Sequence, residues 1–144
     1  MESLYPLTFF PQYKTRVWGG SKFSQVFLRT NAPQQKCGES WEISALPEHV
    51  SLVQNGFLAQ NSLEELIEVY MDEIVGAKIY EKFGLDFPLL IKYIDANDVL
   101  SVQVHPNDEL AKTKHNSYGK TELWYVIQAD PDAELIMGFN KEIT

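Results

Sequence analysis

The sequence predicts a mainly β fold, a β-sandwich carrying a helical insertion. Three observations lead there. Runs of strand length, apolar or alternating and bounded by Pro, Gly and Asn, recur at residues 7–10, 41–46, 50–53, 89–94, 100–105, 122–127 and 133–137. One segment, residues 62–76, carries a firm helical period. No repeat, low-complexity tract or linker interrupts the chain, and its 144 residues suit a single domain over 1–144 with a sizeable core.

Taken in order, residues 7–10 form an apolar run stopped by Pro11, compatible with an edge strand. Gly19-Gly20 after Trp18 marks a turn, and the polar residues 31–36 a loop. From Trp41 onward, alternation places Trp41, Ile43 and Ala45 on one face and Glu42 on the other. Pro47 ends that strand, and residues 50–53 return as its hairpin partner before Asn55-Gly56. Ser62-Leu63-Glu64-Glu65 is a capping box. Leu63, Leu66, Ile67, Tyr70 and Ile74 then form one apolar stripe, stopped by Gly76. Residues 78–83 add a short helical turn before Gly84.

Residues 89–94 are the most apolar stretch, interrupted by Lys92, whose stem can lie on apolar surface while its head reaches water. Residues 106–112 read as a capped helical turn, 112–118 as a polar loop, and Asp130-Pro131-Asp132 as the turn between the last two strands.

Composition narrows the function. At 44% hydrophobic and 22% charged the chain reads as soluble and globular. A formal charge of −8 argues against nucleic acid or an anionic membrane surface as partner, so an anionic ligand must be met by a few placed lysines. One cysteine, Cys37, permits no internal disulfide and fits a reducing compartment; its plain reading is a small half-buried side chain. The first residues lack a basic n-region and an unbroken apolar run, and no segment approaches a membrane span, so the expected location is the cytoplasm.

The chemistry gathers in residues 100–127. If residues 100–105 are a strand, Ser101, Gln103 and His105 share one face, and Leu100, Val102 and Val104 the other. Glu122 sits among Leu123, Trp124, Tyr125 and Val126, where a carboxylate needs a compensating cation. An imidazole, a carboxylate and an amide oxygen suit a borderline divalent ion such as zinc, with Gln103, His105 and Glu122 as ligands. Spacing alone leaves a second arrangement open: Lys120 lies two residues before Glu122 and can pair with it, while His105 merely closes a strand before Pro106. His49 and His115 lie in loops and are read as exposed.

Residues 101–106, Ser-Val-Gln-Val-His-Pro, followed by residues 119–125, Gly-Lys-Thr-Glu-Leu-Trp-Tyr, resemble the metal-site signature of the type I phosphomannose isomerases, zinc enzymes of the cupin superfamily. Residues 16–20, 38–44, 88–92 and 95–96 resemble further blocks of that family in the same order, so the likeness covers nearly the whole chain. It implies a cupin-like, jelly-roll sandwich, here incomplete, and zinc-dependent interconversion of mannose 6-phosphate and fructose 6-phosphate. It also implies that Lys92 and Ser101 hold the sugar phosphate, and it makes Lys120 the candidate catalytic residue, in polar contact near the reacting carbons. A second histidine ligand, an arginine and acidic proton-transfer residues are expected beyond position 144, so these residues alone should turn over little. The apolar residues 124–127 and 135–137, uncovered by later strands, then favour a homodimer. Two other readings stay open, a metal- or sugar-phosphate-binding module without turnover and a folding fragment that self-associates.

Overall fold

A computed structural model of the chain describes residues 3–141. Its contacts gather into two compact units, Met1–Leu100 and Ser101–Thr144, within the span read from sequence as one domain.

The first unit is organised by a three-stranded antiparallel sheet in the order β1-β2-β5, formed by β1 (Gln12–Gly20), β2 (Cys37–Ile43) and β5 (Ile91–Ile94). β2 is central. It pairs Lys14 with Glu39 on one side, and Tyr93 with Ser40 and Lys92 with Trp41 on the other. The ladder is irregular between Lys14 and Thr15, where β2 runs from Glu39 to Cys37. Gly38 is the residue passed over. A side chain there would meet the Arg16 stem and the Trp18 ring, each at 2.7 Å, so its bareness lets β1 cross close above β2.

β3 (Ala45–Leu46) and β4 (His49–Val50) form the expected hairpin after Trp41, turned at Pro47 and at Glu48, which takes a left-handed φ of 64°. Beyond Val50 the Ser51 amide still donates to the Ser44 carbonyl, and the chain then makes isolated bridges, Leu52 to Ser62 and Phe9 to Val53. The edge strand expected at residues 7–10 is reduced to that second bridge.

The capping box forms as read. The Ser62 hydroxyl accepts from the Glu65 amide, and the Glu65 carboxylate accepts from the Ser62 amide, opening α2 (Leu63–Tyr70). Its stripe seats Leu66 in a core cluster with Val53 and Leu58, against which Leu4, Tyr5, Leu7, Phe9, Tyr70 and Ile74 pack. The helix expected to run on to Gly76 instead breaks at Met71 (φ 49°), and α3 (Asp72–Val75) brings Ile74 back to the same cluster. α4 (Ala77–Phe83) follows where a short turn was expected. A smaller cluster joins Phe23 of α1 (Lys22–Gln25) to Ala32 and Cys37, with Tyr13 packed against it. Cys37 is fully buried rather than half-buried.

Among the described residues the second unit holds one helix, α5 (Asp108–His115). Asn107 caps its start by accepting from the Leu110 amide, and the left-handed Asn116 ends it. It runs three residues past the turn expected to end at Lys112. Residues 100–105, 122–127 and 133–137, read as strands, carry no ladder in the structure. Helix and strand occupy similar shares of the described residues, whose strands form the three-stranded sheet and the two-stranded β3-β4 sheet. Alternation reports which face a segment would bury, whereas a strand also needs a neighbour for its backbone groups. Side chains in these runs stand exposed, Leu123 by 90% and Tyr125 by 85%. Among the described residues no helix is long and apolar enough to cross a membrane.

Replacing Ser62 by Ala removes the acceptor for the Glu65 amide and should lower stability by about 1 kcal/mol, the usual cost of an N-cap. Urea unfolding followed by circular dichroism checks this, with an unchanged slope and a lower midpoint as the expected result.

Candidate functional site

Because β2 alternates, its polar residues divide between two faces. On one face Glu39 is buried, its residue 6% exposed, and a carboxylate so placed must be matched by donors. Three reach it. Lys92 of β5 donates from Nζ to Oε1 at 2.8 Å, Arg16 of β1 from Nη2 to Oε2 at 2.7 Å, and the Trp41 indole from Nε1 to Oε2 at 3.1 Å. Lys14 extends the same face, its Nζ 4.6 Å above the Trp41 ring and 3.0 Å from Nδ1 of His49. Burial alone would raise the Glu39 carboxyl. The bonds from Lys92 and Trp41 and the charge of Arg16 outweigh it, and the group is held below the ordinary carboxylate value.

The opposite face is a closed network. Arg29 donates from Nη1 to the Glu42 carboxylate at 2.6 Å and to the Ser40 hydroxyl at 3.1 Å, and that hydroxyl donates to Glu42 at 2.6 Å. The Arg29 guanidinium also lies 5.4 Å from the Tyr93 ring centre. Burial pulls the guanidinium down, yet the bond to Glu42 prevails and its pKa is raised. These bonds tie Arg29, Ser40 and Glu42 to one another on this face.

In the second unit, Nε2 of His105 approaches Oε2 of Glu122 to 3.5 Å, and Nζ of Lys120 approaches Oε1 to 3.3 Å. Gln103 donates from Nε2 to the Ser101 hydroxyl at 2.9 Å, and both residues are exposed. The five residues thus form two groups, His105–Glu122–Lys120 and Ser101–Gln103, and lie on irregular chain instead of the two adjacent strands expected. Beside His105 an open cleft of about 560 Å³ is lined also by Pro106, Asn107, Glu109, Leu110 and Thr113.

Two donors on one tetrahedral zinc, each at about 2.05 Å, stand about 3.3 Å apart, so the His105–Glu122 gap fits a shared ion. Both partners of Glu122 also stand off further than the 2.6–2.8 Å ion pairs of the first unit. An imidazole and a carboxylate are donors that zinc accepts, but among the described residues no three of His, Cys, Asp and Glu cluster, and Gln103 lies in the other group, bonded to Ser101.

Reasoning from sequence did not single out Glu39 or Arg16. Alternation from Trp41 already places Glu39 on the tryptophan face, but its partners come from strands 23 and 53 residues away. Lys92 is held by a carboxylate and does not simply reach into water. His49, read as exposed, is half-buried against Lys14 and Trp41, whereas His115 at the end of α5 is exposed.

Known structures similar to this chain are those of sugar-phosphate isomerases. The chain is similar to the crystal structure of the mannose 6-phosphate isomerase from Bacillus subtilis, at TM-score 0.69 and 33% identity over 79% of this chain and 35% of that one. A zinc-bound mannose 6-phosphate isomerase matches at TM-score 0.61 and 26% identity, over 74% and 27%. The family model for phosphomannose isomerase type I, catalytic domain, matches residues 7–137, and the chain belongs to that family. In sequence it is 43% identical to a mannose-6-phosphate isomerase of Bacillus subtilis over 94% of this chain and 41% of the relative. It is 41% identical to the Streptococcus mutans enzyme over 92% and 40%. The chain therefore spans about two fifths of the length of these relatives.

The depressed Glu39 carboxyl sets an acid limb of stability. A group whose folded pKa lies below its unfolded value adds stability above the unfolded value and loses it as pH falls through the folded one. Urea midpoints should accordingly fall as pH drops below the ordinary glutamate range, about 4.3. In Glu39→Gln that part of the decline should be absent, with lower stability at neutral pH because Lys92 and Arg16 lose their counter-charge.

Proposed function

We propose that this chain contributes to a zinc-dependent mannose-6-phosphate isomerase, an enzyme of carbohydrate metabolism that interconverts mannose 6-phosphate and fructose 6-phosphate. The approach of His105 to Glu122 at 3.5 Å, inside a chain that belongs to the family, carries this reading. Gln103, His105 and Glu122 hold the ion, Lys92 and Ser101 bind the phosphate group, and Lys120 makes a polar contact near the reacting carbons. Bound zinc supplies a Lewis acid that steadies negative charge developing on the sugar oxygens. The isomerisation moves a proton between adjacent carbons, which requires a positioned base. Lys120 already approaches Glu122, so its ammonium and the carboxylate turn toward one place.

In the complete enzyme, residues 100–105, 122–127 and 133–137 become strands of a cupin-like sandwich once neighbours pair with them. Left uncovered, Trp124, Tyr125, Val126, Ile127, Leu135, Ile136 and Met137 favour self-association in a cytoplasmic protein with neither nucleic acid nor membrane as partner. A second reading, a module that binds metal or sugar phosphate without turnover, draws on the exposure of Ser101 and Gln103, since a site open to water is poorly suited to proton transfer.

Zinc affinity tests the ligand set. His105→Ala and Glu122→Gln should each weaken zinc binding by more than about 100-fold, beyond the usual cost of losing an outer partner of a ligand. Lys120→Met should leave affinity unchanged or raise it, because a competitor for Glu122 is gone. Competition against a chromophoric chelator measures all three, and equal zinc affinity in His105→Ala would sink the assignment.

Turnover separates the two readings. With zinc in excess, the 144-residue chain should convert mannose 6-phosphate slowly or not at all. Adding the remaining part of a related isomerase should restore conversion, whereas a pure binding module would stay silent in both assays. Sedimentation velocity should show association growing with concentration; a clean monomer at high concentration counts against the homodimer.

A further inference from the structure

Lys92 and Arg16 converge on Glu39 from the two strands that flank β2, and the indole of Trp41 closes the third side. Each carboxylate oxygen is engaged, Oε1 by Lys92 and Oε2 by Arg16 and Trp41, so Glu39 cannot swing toward one cation without abandoning the other. The Glu39 side chain is 8% exposed and that of Lys92 21%, so the ammonium is anchored at a buried point yet keeps a route to solvent. An ammonium has three donors, and one is committed to Oε1. Two cations against one carboxylate leave a local surplus of one positive charge, in a chain whose formal charge is −8.

We propose that Glu39 is a positioning residue for phosphate binding: it fixes the Lys92 ammonium in one orientation, so that the two remaining N–H donors are already aimed when the anion arrives. This rests on the assignment of Lys92 to the phosphate group. A free lysine would lose the mobility of its long stem on binding, and a pre-anchored one has lost it already. The competing account makes Glu39 only a staple between strands, with its charge a nuisance to an incoming anion. The two accounts differ in sign. Removing the charge but not the shape raises the local surplus from one to two, so simple electrostatics predicts tighter anion binding. Loss of aim predicts weaker binding.

The Trp41 indole N–H, bonded to Glu39, is a reporter in the molecule. The ¹⁵N-labelled 144-residue chain is titrated with mannose 6-phosphate while this resonance, assigned through Trp41→Phe, is followed, with unphosphorylated mannose as the control. The native chain should show a saturable shift with mannose 6-phosphate and none with mannose. Glu39→Gln should bind about tenfold more weakly, the order expected when a hydrogen bond to a charged group is lost. In a Lys92→Met background Glu39→Gln should cost nothing further, a non-additivity that a strand staple would not produce. No saturable shift in the native chain overturns the phosphate role of Lys92, and this inference with it. A saturable shift in the native chain together with equal or tighter binding by Glu39→Gln overturns the positioning role alone. Should Glu39→Gln lose its dispersed amide spectrum, Glu39→Asp decides: it keeps the charge but shortens the reach to Lys92, so weaker binding upholds the positioning role and equal binding ends it.

Discussion

The three strands of the first unit's sheet are joined by the buried carboxylate of Glu39. A glutamate placed on a central strand with its residue 6% exposed must be matched by donors, and here cations reach it from both sides. That requirement explains why β2 lies between β1 and β5, and why residues far apart in sequence must meet in register. It also explains Gly38, whose missing side chain leaves space for the Arg16 stem on its way to Glu39. The sheet and the cation cluster are thus one structure: removing Glu39 would leave two charges without a partner at a strand junction.

The second unit is built on a looser carboxylate. Glu122 has an imidazole 3.5 Å from one oxygen and an ammonium 3.3 Å from the other, and its side chain is 35% exposed. In the first unit the partners close to 2.6–2.8 Å and satisfy the charge outright. Water competes for a carboxylate as open as Glu122, so its ion pair with Lys120 adds little stability. A divalent cation would be the stronger partner, because each ligand oxygen faces two units of charge at about 2.0–2.2 Å.

What could be read in advance follows the range over which the signal acts. The Ser62–Glu65 box is settled by four consecutive residues, and it forms as expected. The hairpin at Ala45–Val50 is likewise local, set by Pro47 and a two-residue turn. Met71 was invisible because nothing in its type marks a left-handed residue; the break appears only where Ile74 must return to the Val53 cluster. The runs at 100–105 and 122–127 show the opposite failure. Their alternation is genuine, but a ladder is a property of two segments, and among the described residues neither segment is paired. Glu39 escaped notice for the same reason, as its meaning lies in Arg16 and Lys92 and not in its neighbours. Family motifs supplied what local pattern could not, the family itself, since several ordered blocks along the chain are specific where one run alone is not.

If Lys92 binds a phosphate group as proposed, a buried carboxylate on the same face looks self-defeating until the charges are taken together. Arg16 and Lys92 without Glu39 would be two like charges drawn to one junction, each repelled by the other and each free to reach outward into water. Glu39 joins them at 2.7 and 2.8 Å and reduces their mutual repulsion while leaving the pair positive by one charge. Attraction is lowered, and so is the disorder that an incoming anion would have to overcome. In a chain with twenty acidic residues against twelve basic ones, long-range attraction for an anion is weak in any case. On the proposed reading, selectivity for a phosphate group would come from a few donors held in place, and the Glu39 junction holds two cations in that way.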